Sequence, residues 1–336
     1  MSEKTMENNR EELSAKTARK KGFNFGQFYG KYGIFIILVV IFVAAAVAVP
    51  GFFSKYNLTS VMLSIACTTV LALGATFVII LGNINIAYGS ELAFIGCIAC
   101  MVDVATGSVV LALLAALAIG LVMGALTGFV ITKFNIPAFI MTLALTEAAR
   151  GGAVLVTGGK TISGLSNSFR FLGQGYVGPI PMAIIILVIA FAVMWIILNK
   201  TPFGRYLYAV GGNAKAAEAS GINPKSVVLK AYILDGVLVG ISSVVLMSRL
   251  NSGVPSAAVS YEMDAITAVV VGGTSMSGGS GTLFGTIVGA IIVGIINNVQ
   301  TLMGVDSNMQ KIVKGCIIVA AVIIDVVTKN SAKKAR

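Results

Sequence analysis

Runs of about twenty apolar residues recur along nearly the whole chain, separated by short stretches where glycine, asparagine and charge collect. A run of that length, wound as a helix, crosses the hydrocarbon core of a bilayer. Ten such windows can be drawn, at 33–50, 58–81, 88–105, 109–131, 137–157, 180–199, 229–248, 264–280, 282–303 and 310–328. The pattern predicts an all-α integral membrane protein. A basic polar segment at 1–32 leads into one transmembrane domain at 33–328, and a basic tail at 329–336 closes the chain. Ala46-Val47-Ala48 resembles a signal-peptide cleavage site, but a polar leader of 32 residues is long for a signal, so an uncleaved first helix is expected.

Composition agrees with the pattern. Apolar residues make up 57% of the chain and charged residues 11%, where a soluble domain carries about 25% charge. Thirteen acids and no histidine leave little for general-base or metal chemistry. Cys67, Cys97, Cys100 and Cys316 all fall in apolar runs, and no second pair or histidine completes the C-x-x-C at Cys97 and Cys100 as a zinc site. The net charge of +11 borders the spans, which argues against nucleic acid and for the bilayer as the chain's immediate partner. With the N-terminus inside, 17 lysines and arginines fall on the inner side and six on the outer, so both termini are expected to be cytoplasmic.

Two polar, glycine-rich breaks interrupt the apolar pattern, at 82–90 and at 272–281. Non-helical backbone at membrane depth is tolerated only where protein or a water-filled cavity satisfies it, so such breaks point to a solute path. The alternative is a plain loop at the membrane surface. Candidate path residues are Asn83, Asn85 and Tyr88 in the first break and Gly272, Gly273, Thr274 and Ser275 in the second, with Asp235 and Asn297 inside later spans. The breaks align at an offset of 190, Gly82 with Gly272 and Gly89 with Gly279, which hints at an internal duplication. Charges inside spans face protein or water rather than lipid. Glu147 and Arg150, three apart on one helix, are expected to form an ion pair. Glu262 and Asp264 sit at the outer end of the eighth span, where a soluble protein could meet them.

The segment 200–228 is a basic island between two spans, predicted to lie inside. Asn213 can cap a short helix through Ala214, Lys215, Ala216, Ala217, Glu218, Ala219 and Ser220, which Gly221 can close in a left-handed turn. Such a helix has almost no apolar face of its own to bury and suits docking against another protein. Gly158-Gly159-Lys160-Thr161 imitates the end of a phosphate-binding loop, but the glycine required four residues before Gly158 is Val154. This chain has no P-loop with which to hydrolyse ATP.

Several segments together resemble the permease subunits of bacterial ATP-binding-cassette importers of the ribose/xylose/galactoside type. They are GRYLYAVGGNAKAAEASGI at 204–222, YEMDAITAVVVGGTSMSGGSGTLFGTIVGA at 261–290, MTLALTEAARGGAVLVTGG at 141–159 and QKIVKGCIIVAAVIID at 310–325. The resemblance implies a two-copy permease with no cofactor of its own. Cytoplasmic ATPases carrying ATP and magnesium would drive it, and an extracytoplasmic solute-binding protein would deliver the cargo. It also implies that Asn213–Gly221 is the element through which the ATPases push. One departure stands out: where the family commonly reads G-G-I-D-L-S-V-G, this chain has Asn85 for the aspartate, Ala87 for the serine and Tyr88 for the valine. A monosaccharide such as ribose is the expected cargo. The competing class is a self-sufficient secondary transporter or channel driven by an ion gradient, against which the scarcity of intramembrane carboxylates counts. A membrane enzyme has the least support.

Overall fold

The computed structural model describes residues 25–334, with side chains described over 34–323. Residues 1–24 of the expected inner segment and 335–336 of the expected tail lie outside the described residues. The chain is almost entirely helical: α1 (Phe25–Ala48), α2 (Lys55–Ile80), α3 (Tyr88–Thr106), α4 (Val109–Phe134), α5 (Ala138–Thr157), α6 (Asn167–Gln174), α7 (Met182–Lys200), α8 (Pro202–Gly212), α9 (Ala214–Ala219), α10 (Pro224–Leu250), α11 (Tyr261–Val271), α12 (Leu283–Leu302) and α13 (Ser307–Lys334). One small hairpin, β1 (Tyr176–Val177) with β2 (Ile180–Pro181), interrupts them before α7. Seven of the described helices are long and apolar enough to cross a membrane: α2, α3, α4, α5, α7, α10 and α12.

Helix ends fall where local chemistry puts them. Ser54, Ser108 and Asn223 cap α2, α4 and α10 by accepting from the backbone N–H groups of Asn57, Leu111 and Ser226, and Pro224 starts α10 without wasting a donor. Asn135 and Asn251 close α4 and α10 in left-handed turns.

α2 and α10 form the buried centre, while α4, α5 and α7 present wide apolar faces outward. α10 packs against α2, α3, α4 and α6, and α12 packs against α1, α2 and α11. The tightest crossing is α4 on α10. Gly120 and Gly124 sit against the carbonyls of Gly236 and Tyr232, and Gly236 and Gly240 against those of Gly120 and Ala116, so a methyl on any of the four glycines would strike backbone. Small residues let helices approach in this way where lipid offers no hydrophobic drive between them.

The expected span at 264–280 is corrected. α11 stops at Val271, and residues 272–282 continue without helix until Thr282 caps α12. The glycine pair at Gly272 and Gly273 unwinds the chain: Gly273 turns left-handed (φ 86°), and the amide of Thr274 reaches back to the carbonyl of Val269. The first break ends α2 in the same way, with Gly82 at φ 75° and the Asn83 amide bonded to the Val78 carbonyl. The two helix ends therefore superpose Gly82 on Gly273, one residue off the alignment expected from sequence.

Candidate functional site

The first break runs as an unwound strand of chain alongside α5. Thr142 and Thr146, one turn apart on α5, donate to the carbonyls of Ile84 and Ile86 (3.4 and 3.3 Å), so protein satisfies the break's backbone at depth. One turn further on, Arg150 donates to the carbonyls of Pro255 and Ala257 (2.8 and 2.9 Å). Those carbonyls belong to the loop after α10, which folds down until Ala258 and Glu262 lie against Gly89 at the start of α3.

Where the break rewinds into α3, four polar side chains meet. The Asn85 amide nitrogen donates to Oε2 of Glu91 and to Oδ2 of Asp235, both at 3.2 Å, while its oxygen accepts from the Ala87 amide (2.9 Å). The Tyr88 hydroxyl donates to Asp235 Oδ1 at 3.0 Å. All four residues are at most 3% exposed. Two carboxylates thus meet the Asn85 amide, Glu91 from the first turn of α3 and Asp235 from eleven residues beyond the start of α10. Three of the expected path residues, Asn85, Tyr88 and Asp235, are brought together; Asn83 stands half-buried outside the group. The group is closed, however, because all four side chains are buried and bond to one another. Glu91 was not among the residues singled out from sequence, although a lone acid in an apolar helix is the signal that could have found it.

The second break meets the first at the island end of the bundle. The Gly279 amide donates to the Ile80 carbonyl at the end of α2 (2.8 Å), and Gly278 lies against Gly82 and the carbonyl of Gly211. Gly211 in turn rests on the Ile80 carbonyl, and Tyr208 donates to the Gly281 carbonyl at 2.8 Å. α8 therefore touches both breaks at once. Thr274, buried here, has a hydroxyl without a partner among the described residues, and Ser275 is buried beside it. Directly after Gly212 comes α9. Asn213 accepts from the Ala216 amide (3.1 Å), Gly221 takes the left-handed turn at φ 82°, and only Ala217 is buried. The expected short helix is present and ends one residue early, at Ala219, with Lys215 and Glu218 exposed.

Three expectations are corrected. Glu147 and Arg150 do not pair: Arg150 is engaged by carbonyls, and Glu147 is exposed. Asp264 is buried and forms an ion pair with Lys314 (2.8 Å), the one such pair among the described residues. Asn297 donates to the same carboxylate at 3.2 Å, so it braces α11 rather than joining the Asn85 group. Glu262, half-buried, lies against Gly89 instead of standing free. Asn298 makes a reciprocal amide pair with Asn57 (2.7 and 3.1 Å), tying α12 to α2.

Residues 57–322 match the family described as branched-chain amino acid transport system, permease component. The chain belongs to that family. The permease is 40% identical to the ribose import permease protein RbsC of Bacillus subtilis, over 91% of this chain and 96% of the relative. It is 38% identical to the protein of the same name from Haemophilus influenzae, over 90% and 95%. To the L-arabinose transport system permease protein AraH of Escherichia coli it is 33% identical, over 93% and 95%. No solved structure matches it. It is a multi-pass permease of the bacterial cytoplasmic membrane and belongs with transporters rather than with catalytic subunits.

Proposed function

We propose that this permease forms the membrane pathway of an ATP-binding-cassette importer for a monosaccharide, ribose or a close relative. The cargo reading rests on similarity to two ribose import permeases along nearly their whole length. The mechanism rests on one observation: an exposed, capped helix, α9, is joined through Gly211 and Tyr208 to the unwound ends of both breaks. A cytoplasmic ATPase pressing on Asn213–Gly221 acts on backbone that has no side chain to absorb the push. Closure of the ATPase pair then biases the permease between inward- and outward-open states, a population shift delivered through a contact. In this reading both termini lie inside, and the chain binds no cofactor and leaves ATP and magnesium to its partners. An extracytoplasmic solute-binding protein delivers the sugar.

A second copy completes the unit. Glu147 is exposed near the middle of α5, where lipid would be a costly neighbour for a carboxylate. Around it Phe139, Ile140, Leu143, Val154 and Leu155 are also exposed. A facing protomer with a wet path between the copies gives Glu147 a polar surrounding, which moves the solute path from the closed Asn85 group to this face.

The reading is tested in liposomes. The permease reconstituted with its ATPase and binding protein should take up ribose only when ATP is inside the ATPase compartment. Uptake by the permease alone, driven by a proton or sodium gradient, would establish the secondary-transporter reading instead. Disulfide trapping with Glu147→Cys should link two copies under oxidation; a chain that stays monomeric while still importing would refute the paired arrangement.

A further inference from the structure

The group at the start of α3 carries two carboxylates and, among the described residues, no counter-charge. Glu91 and Asp235 are 2% and 1% exposed, and each has an oxygen 3.2 Å from the same Asn85 nitrogen. The donors that reach them, the two amide hydrogens of Asn85 and the Tyr88 hydroxyl, bring hydrogen bonds but no positive charge. Two carboxylates sharing one buried site do not both stay ionised without a cation.

None of the described helices packed around them supplies one, and on α10 itself Lys225 and Lys230 are exposed. α2 contributes Gly74, against Asp235 itself, and its Cys67 is engaged with Ser242 two turns along α10. α4 faces α10 with glycines, and its Lys133 is exposed in the last turn. α5 turns Thr142 and Thr146 toward the break, while Arg150 is taken by the carbonyls of Pro255 and Ala257. α11 brings further acids, Glu262 against Gly89 and Asp264, whose cation Lys314 is already engaged with it. Arg170 of α6 lies by Ser248, at the other end of α10, and Arg205 of α8 is exposed. On α3 itself the remaining acid, Asp103, is bonded to Ser166 at the far end.

We propose that the Glu91–Asp235 pair holds one proton in the closed permease and releases it to water when α3 and α10 part. Asn85 is what makes a proton the occupant. Its two N–H hydrogens fill the space between the carboxylates, where they would repel a metal ion. The step is a simple exchange: one carboxylic acid and one carboxylate become two carboxylates and a solvated proton. Because the closed state binds the extra proton, acid favours it and alkali favours parting.

Infrared spectroscopy of the full-length permease in lipid, near neutral pH, reads the proton directly. The wild type should show a carboxylic-acid carbonyl band that shifts in heavy water, and the band should be lost in Glu91→Gln and in Asp235→Asn. Absence of such a band in the wild type would overturn the proposal. So would its survival unchanged in both variants, or its disappearance on adding sodium or potassium at constant pH, which would make the site a metal-ion site. If the variants do not insert, the wild type still decides. Its thermal stability should fall as pH rises above the range in which free carboxyls titrate, because the folded state holds more protons than the unfolded one; a flat or rising profile would count against the proton. Neither measurement needs ATP, ATPase or sugar, so failure here leaves the importer reading intact, and the reverse.

Discussion

The phenol of Tyr88 donates to the carboxylate of Asp235 over 3.0 Å, although 147 residues separate them in the chain. This bond and the one from Asn85 lock the rewinding end of the first break onto the longest buried helix. Asn85 and Tyr88, both in the first break, are therefore partners of the same carboxylate.

An acid at position 85 should accordingly harm this protein. Asn85→Asp places a third carboxyl beside Glu91 and Asp235 and removes the amide that bridges them. An uncompensated buried charge costs about 3–5 kcal/mol, so the thermal midpoint of the purified protein should drop sharply. Adding Asp235→Asn returns one amide and one fewer acid, and should recover most of the loss. A neutral Asn85→Asp, or a double variant no better than the single, would show that the group is not electrostatically coupled.

Lys314 and Asp264 join α13 to α11 across a mostly buried interface. Lys314→Met strands the aspartate with only Asn297 as a donor, and should destabilise by on the order of 3 kcal/mol. Asp264→Asn in the same chain should recover much of it. Thermal unfolding in detergent measures both; equal stability of wild type and Lys314→Met would show the pair to be solvated.

Gly211→Ala drives a methyl into the Ile80 carbonyl, where only a shift of α8 away from the breaks can make room. The variant should insert and still bind the ATPase through α9, yet import several-fold more slowly than wild type at equal ATP. Co-purification and uptake measured side by side separate the two effects. Uptake unaffected by the methyl would mean that the joint between α8 and the breaks carries no force.

Charge reversal on α9 tests the contact itself. Lys215→Glu with Glu218→Lys changes two exposed side chains, so stability should stay within about 0.5 kcal/mol. ATPase association, followed by pull-down from solubilised membranes, should weaken. Undiminished association and coupled hydrolysis would move the docking site elsewhere.

The long helices were legible because apolar length alone decides them: the window 88–105 became Tyr88–Thr106, and 137–157 became Ala138–Thr157. Helix α9 was legible because its cap, its alanines and its closing glycine are all local. What could not be read was the partner of each polar side chain. Arg150 has Glu147 three residues away in sequence but finds backbone carbonyls more than 100 residues away, since the loop after α10 folds back into the bundle. Asp264 looked like the outer rim because hydropathy places a span around it. In fact the span ends at Val271, and α13 lays Lys314 over the carboxylate. Residues 272–280 misled for a related reason, since valine and methionine beside the glycines kept the window apolar while the glycine pair unwound it.

At the crossing of α4 and α10, Gly120 and Gly236 each rest on the other's carbonyl, leaving no layer of side chains between the helices. Helices that slide or rock past one another do so by repacking side chains into a second set of hollows, and bare backbone offers only one fit. The two helices therefore travel as a single plank, with Asp235 fixed in it. Any separation of the buried acids is a withdrawal of α3 and its unwound lead from a stationary wall.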